Sequence, residues 1–311
     1  FIQQHAARVA SSFYDASIDE PQWYFAPGQS FEAPITVRAK RQLRIGDARV
    51  VLECEEHAIN RGGTSDTHYR KTIFEREYSL GAPRELRPGE EAVLRTQLTV
   101  PPTGTPTFRG KNNFIEWKLR LTVPIPGYCP DIREEIELHV TPRVTDASVR
   151  GLPKDSAIPE EWLANAKLRD KTHQMRGVHA ELEARDGAIV QGLPAMSVGA
   201  TRKLNLTVRT DEDIHCRGVQ CWVGCRIHGS GTSEEAALEE EHLIHEGDFR
   251  AGLAINRTIS VTIPPYGPVT FIGRYVKCEW MVRVRVDIPV WRDKRIELPI
   301  VVTPRLTAEP D

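Results

Sequence analysis

The residues best suited to chemistry in this chain are its cysteines and the histidines near them. Cys216, Cys221, Cys225 and Cys278, with His215 and His228 close by, offer the thiolate and imidazole ligands that zinc takes. Their spacing lacks the paired C-x-x-C knuckles of a zinc site, so the pattern predicts no metal. His242 and His245 would share one face of a helix, but the surrounding pattern reads as strand, which turns them to opposite sides. Glu234, Glu235, Glu239, Glu240 and Glu241 fall in a polar stretch, residues 229–241, without calcium-loop spacing; it reads as a solvated loop. No G-x-S-x-G, no Walker loop and no G-x-G-x-x-G opening a helix is present. The expectation is a non-enzymatic chain with no catalytic residue, no metal and no cofactor.

Cations placed on strands remain. Arg38 and Lys40, Lys118 and Arg120, and Arg283 and Arg285 alternate with apolar residues, which puts each pair on the non-core side of its strand. Together they form a basic stripe suited to phosphate or an acidic peptide. Alternating charge is also what any one-faced sheet needs, and Glu135, Glu137 and Glu297 are acidic cross-strand neighbours. These six residues are the candidate partner-binding set.

The strands that position them come from one stretch present twice. Residues 100–143 (VPPTGTPTFRG…IEWKLRLTVPIP…TPR) and 263–305 (IPPYGPVTFIG…CEWMVRVRVDIP…TPR) match at a constant offset through Phe108 and Phe271, Gly110 and Gly273, Trp117 and Trp280, and Pro126 and Pro289. A repeat of that period is a duplicated domain rather than a solenoid. Trp117, Leu119, Leu121 and Val123 alternate with Lys118, Arg120 and Thr122, and Trp280, Val282, Val284 and Val286 alternate with Met281, Arg283, Arg285 and Asp287. Each long strand therefore reads as half-buried with one wet face. Upstream, Ile35, Val37 and Ala39 match Leu204, Leu206 and Val208. Ala48, Val50, Leu52 and Cys54 match Val219, Cys221, Val223 and Cys225. The six cysteines, Cys129 included, accordingly read as reduced, buried thiols.

The chain has 311 residues, enough for two domains with their own cores, and its 40% hydrophobic and 27% charged content is that of a globular protein. A formal charge of −2 gives no pull toward nucleic acid, and the single Arg61-Gly62-Gly63 reads as a hairpin loop. No apolar run is long enough for a transmembrane segment. The boundaries read as an N-terminal tail or short helix (1–16), a first sandwich (17–143), a connector with a short helix over Glu160–Arg169 (144–175) and a second sandwich (176–306). The start at Phe1 reads as that of a fragment or processed product.

Leu86-Arg87-Pro88-Gly89, then V-P-P…P-T-F-R-G from Val100 to Gly110, then I-E-W-K-L-R-L-T-V-P-I-P from Ile115 to Pro126, resembles the arrestin-domain family, and Ile263–Gly273 repeats the turn. The family includes arrestins, alpha-arrestins, retromer's arrestin-like subunit and bacterial sporulation-control relatives. The resemblance implies an all-β chain of two tandem arrestin-like, immunoglobulin-type β-sandwich domains. It implies a cytoplasmic or membrane-peripheral adaptor or scaffold for protein partners, among them membrane-associated ones. The chain departs from the family pattern in lacking a P-P-x-Y motif and a long C-terminal tail, and in its longer connector. The alternatives are a membrane-anchored module whose anchor precedes residue 1, and a metal- or ligand-binding enzyme.

Overall fold

The computed structural model describes residues 13–18, 24–62, 65–127, 130–145, 177–185, 189–190, 192–237, 242–265, 267–290 and 293–307. The protein is all-β and β-sandwich-like: 67% of the described residues are strand, and none of them is helix. The helix expected over Glu160–Arg169 lies outside the described residues, as does Cys129. Tyr14–Ile18 is a strand, where the N-terminal stretch was expected to be tail or short helix. It pairs antiparallel with Ile35–Ala39, and that ladder binds residues a free tail would leave to water.

Two compact units divide the chain. The first comprises residues 1–56, 70–107 and 115–141; the second comprises 57–69, 108–114 and 142–311. Both cut across the expected boundary, because segments from the first half group with the second unit.

In the first unit a three-stranded sheet runs Tyr14–Ile18, Ile35–Ala39, Glu91–Leu94. A six-stranded sheet, most of whose residues belong to the first unit, runs Tyr24–Phe25, Ile132–Val140, Asn113–Val123, Ala48–Asn60, Thr67–Gly81, with Phe108–Arg109 beside Asn113–Val123. Each sheet buries one set of alternate side chains: Ile35, Val37 and Ala39 from the first; Trp117, Leu119, Leu121, Val123, Leu138 and Val140 from the second. Two one-faced sheets remove those faces from water by packing them together. Each large aliphatic chain so buried contributes about 1.5–3 kcal/mol.

The second unit also has a small sheet and a large one. Val178–Ala184, Thr201–Thr210 and Ala254–Thr262 form one sheet. Ile189–Val190, Leu193–Ser197, Lys294–Thr303, Lys277–Asp287, Gly218–Gly229 and Thr232–Ala237 form the path of an eight-stranded sheet, with His242–Glu246 and Phe271–Ile272 beside it. The repeated residues make repeated bonds. Trp117 Nε1 donates to Thr105 O and Trp280 Nε1 to Pro268 O, both at 2.8 Å. The Val140 amide donates to Thr107 Oγ1 at 2.9 Å, and that of Val302 to Thr270 Oγ1 at 2.8 Å. The turn amides follow suit, Gly110 donating to Asn113 O at 2.9 Å and Gly273 to Val276 O at 2.8 Å.

The two long strands nevertheless differ. Asn113–Val123 alternates buried with less buried residues, as a strand with one wet face should. Lys277–Asp287 buries both faces from Cys278 to Val284, with Met281 and Arg283 among its buried residues. The expected wet face is therefore missing there.

Candidate functional site

The six candidate cations occupy three strand surfaces rather than one stripe. Arg38 lies on the three-stranded sheet of the first unit and Lys40 just beyond the end of its strand, while Lys118 and Arg120 lie on the six-stranded sheet. Arg283 and Arg285 lie in the second unit. Sequence periodicity fixes which face a residue takes within its strand but not which sheet the strand joins.

Each candidate faces a polar or acidic neighbour. Arg38 stands opposite Asp15 and Glu91 across its two ladders, and Lys40 Nζ is 2.5 Å from Asp15 Oδ1. Lys118 Nζ is 2.7 Å from Glu55 and 3.8 Å from Glu135. Burial alone would lower the Lys118 pKa, but the Glu55 hydrogen bond and the charges of Glu55, Glu135 and Glu53 outweigh it and raise it. Arg285 donates through Nε to Gln220 Oε1 at 2.9 Å and lies over the Trp222 ring, 5.8 Å from its centroid.

Around Arg120 the outer surface opens into a groove of 450 Å³, lined by Arg49, Arg120, Leu121, Thr122, Arg133, Glu134 and Glu135. The antiparallel register builds it: Arg120 stands opposite Glu135, Leu121 opposite Glu134 and Thr122 opposite Arg133. Arg49, Arg120, Arg133 and Glu135 thus share one open face, while Glu134 alternates to the face of the buried Leu121. Arg49 and Arg133 have side chains 56% and 75% exposed, so their donors reach solvent. Guanidiniums present planar, paired N–H donors that match carboxylate and phosphate oxygens.

Glu53 lies beside Arg120. Its Oε2 is 2.8 Å from Arg120 Nη2, close enough for an ion pair, yet not aligned with the N–H as a hydrogen bond requires. Thr72 donates to its other oxygen at 3.2 Å. Burial raises the Glu53 pKa, the Glu55 charge adds to the rise, and Arg120 and Lys118 oppose it. Arg120 also lies 3.6 Å from Glu75, so its guanidinium is shared between two acids.

The corresponding surface of the second unit is an ion network. Arg226 donates to Glu235 through Nε at 2.7 Å and to Glu297 through Nη1 at 2.8 Å and Nη2. Arg283 Nη1 donates to Glu235 at 2.9 Å, and its Nε lies 3.3 Å from Glu297 without hydrogen-bond alignment. Burial would raise the Glu235 carboxyl, but hydrogen bonds from Arg283 and Arg226 overcome it and hold the pKa below the ordinary value. At 8% exposure Arg283 is part of the fold's interior.

Several of these residues escaped the sequence reading. Arg49 and Arg133 flank the expected cations on neighbouring strands, a relation visible only once the register is known. The stretch 229–241 was expected to be a loop, yet Thr232–Ala237 is a strand paired with Gly218–Gly229. The left-handed Gly231 makes the tight return, with φ of 87°. Glu235 on that strand closes the ion network, and Glu234 accepts from the amides of Lys111 at 2.5 Å and Asn112 at 2.6 Å. The signal was the Gly-Ser-Gly turn between Ile227 and Ala236.

The cysteine and histidine candidates do not gather around one point among the described residues. His215 pairs with Asp248 at 2.7 Å and His228 with Glu279 at 3.2 Å. Cys54, Cys216, Cys221, Cys225 and Cys278 are buried free thiols, with Cys225 Sγ 3.3 Å from Cys278 Sγ. No helix among the described residues is long and apolar enough to cross a membrane. No protein-family model and no curated protein matches the chain.

Proposed function

We propose that the chain is a non-enzymatic adaptor or scaffold of two tandem arrestin-like, immunoglobulin-type sandwiches. Its first unit takes an acidic segment of a protein partner into the groove of Arg49, Arg120 and Arg133. The observation that carries this reading is the groove itself: three arginines converge on one open surface, and two of them are more than half exposed. An extended segment lying there would offer carboxylates to the guanidiniums, while Glu135 penalises a segment of the wrong charge order. Such contacts supply specificity and association rate more than raw affinity, as an adaptor with exchangeable partners needs. The reading places the chain in the cytoplasm, where buried thiols stay reduced, with soluble or membrane-associated partners.

The test is a titration of the chain with a labelled oligoglutamate peptide by fluorescence anisotropy. The double variant Arg49→Glu/Arg133→Glu should weaken binding by about tenfold or more, since each reversal replaces attraction with repulsion. Arg202→Glu/Lys203→Glu, at exposed positions of the second unit, should leave it unchanged. Equal affinity for both variants, or no binding by the native chain, would sink the proposal.

A further inference from the structure

The strand Thr67–Gly81 closes one end of the six-stranded sheet, with Ala48–Asn60 as its neighbour there. It is 15 residues long, contains no proline, and most of its side chains are exposed. Among the described residues, no backbone hydrogen bond reaches 70–78 from the other side. A long, regular edge of that kind is a template for another strand, and proteins usually blunt it by shortness, proline, bulges or charge. Here the device is charge, but of both signs: Arg70, Lys71, Glu75, Arg76 and Glu77.

Those charges select one occupant and one register. Two copies joined edge to edge about a twofold axis give an antiparallel pair and a continuous sheet. Opposed residues must then point to the same face, so the axis passes through a residue rather than between two. An axis at Ile73 opposes Arg70 to Arg76. An axis at Glu75 opposes Glu75 to itself, and one at Arg76 opposes Glu75 to Glu77. An axis at Thr72 gives no ion pair within 70–78. An axis at Phe74 opposes Lys71 to Glu77 on both sides, Arg70 to Tyr78, Thr72 to Arg76 and Ile73 to Glu75. Of these, only the Phe74 register gains ion pairs and sets no like charges against each other. Within its own chain Glu77 lies 3.6 Å from Arg49, with both side chains more than half exposed, so its carboxylate remains reachable.

We propose that this edge binds a second copy of the chain, by antiparallel pairing of Arg70–Tyr78 about Phe74. The inference does not rest on the groove's ligand, although Glu77 lies beside Arg49 of the groove. Sedimentation velocity over a concentration series tests it. The native chain should form a concentration-dependent dimer, and Lys71→Glu or Glu77→Lys alone should weaken it about tenfold or more. The double variant Lys71→Glu/Glu77→Lys should restore it, because the swap rebuilds both ion pairs with signs exchanged. Circular dichroism checks that each variant keeps its strand content. A monomer throughout the series, a dimer indifferent to the single reversals, or a double variant as weak as the singles would each overturn the proposal.

Discussion

Glu53 and Glu235 are acids that their surroundings push in opposite directions, which gives opposite pH signatures. The folded state raises the Glu53 pKa by burial, so it favours the protonated form. Its contribution to stability is present below the ordinary carboxylate pKa and is lost as pH rises through the raised value. Urea titrations of Glu53→Gln at a series of pH values should therefore show the variant gaining on the native chain from acid toward neutral pH. Glu235 is the reverse case, with burial overcome by Arg283 and Arg226 and the pKa lowered. Its contribution is present above the ordinary value and is lost as pH falls through the lowered one. Glu235→Gln should destabilise the chain at neutral pH, with the difference shrinking as the solution is acidified. Arg283→Glu should act on stability rather than on partner binding, since it buries a carboxylate beside Glu235 and Glu297. A cost of about 3 kcal/mol or more is expected, read as a lower urea midpoint.

The strands carrying the repeat were legible because hydrophobic alternation and paired motifs report local structure directly. Trp117 and Trp280 are spaced alike from Thr105 and Pro268, and both indoles donate to those carbonyls at 2.8 Å. Trp117→Phe and Trp280→Phe should each cost about 1–3 kcal/mol, because a buried carbonyl loses its donor and the smaller ring leaves space. Similar losses from both variants would match the shared geometry, and an unaffected midpoint in either would contradict it. What escaped the sequence reading depends on contacts between distant segments. Glu234 reads as one acid among many until the hairpin Gly218–Ala237 brings it to the amides of Lys111 and Asn112. Glu234→Ala should accelerate hydrogen exchange at those two amides, with little change in the central strands Gly218–Gly229 and Lys277–Asp287. In the same way Arg283 belongs by periodicity to a wet face, yet it is buried because both faces of its strand are covered.

At the scale of the whole molecule, the repeated residues make matching bonds, and each unit holds a small and a large sheet around alternating apolar residues. The division of the chain was not legible in the sequence: residues 57–69 and 108–114 join the second unit although they precede the first unit's last strands. Periodicity gives no information on that exchange, because it concerns one element at a time. The groove has the same origin. Arg120 was foreseen from one strand, whereas Arg49 and Arg133 arrive from its neighbours through sheet order and register. The most direct test of the adaptor account is therefore the sign of the groove's preference. Native and Arg49→Glu/Arg133→Glu chains would be titrated in parallel with oligoglutamate and oligolysine at one salt concentration, since screening changes every value. The account predicts that the native chain prefers oligoglutamate and that the double variant loses or inverts that preference. The same ratio of affinities in both chains would contradict it.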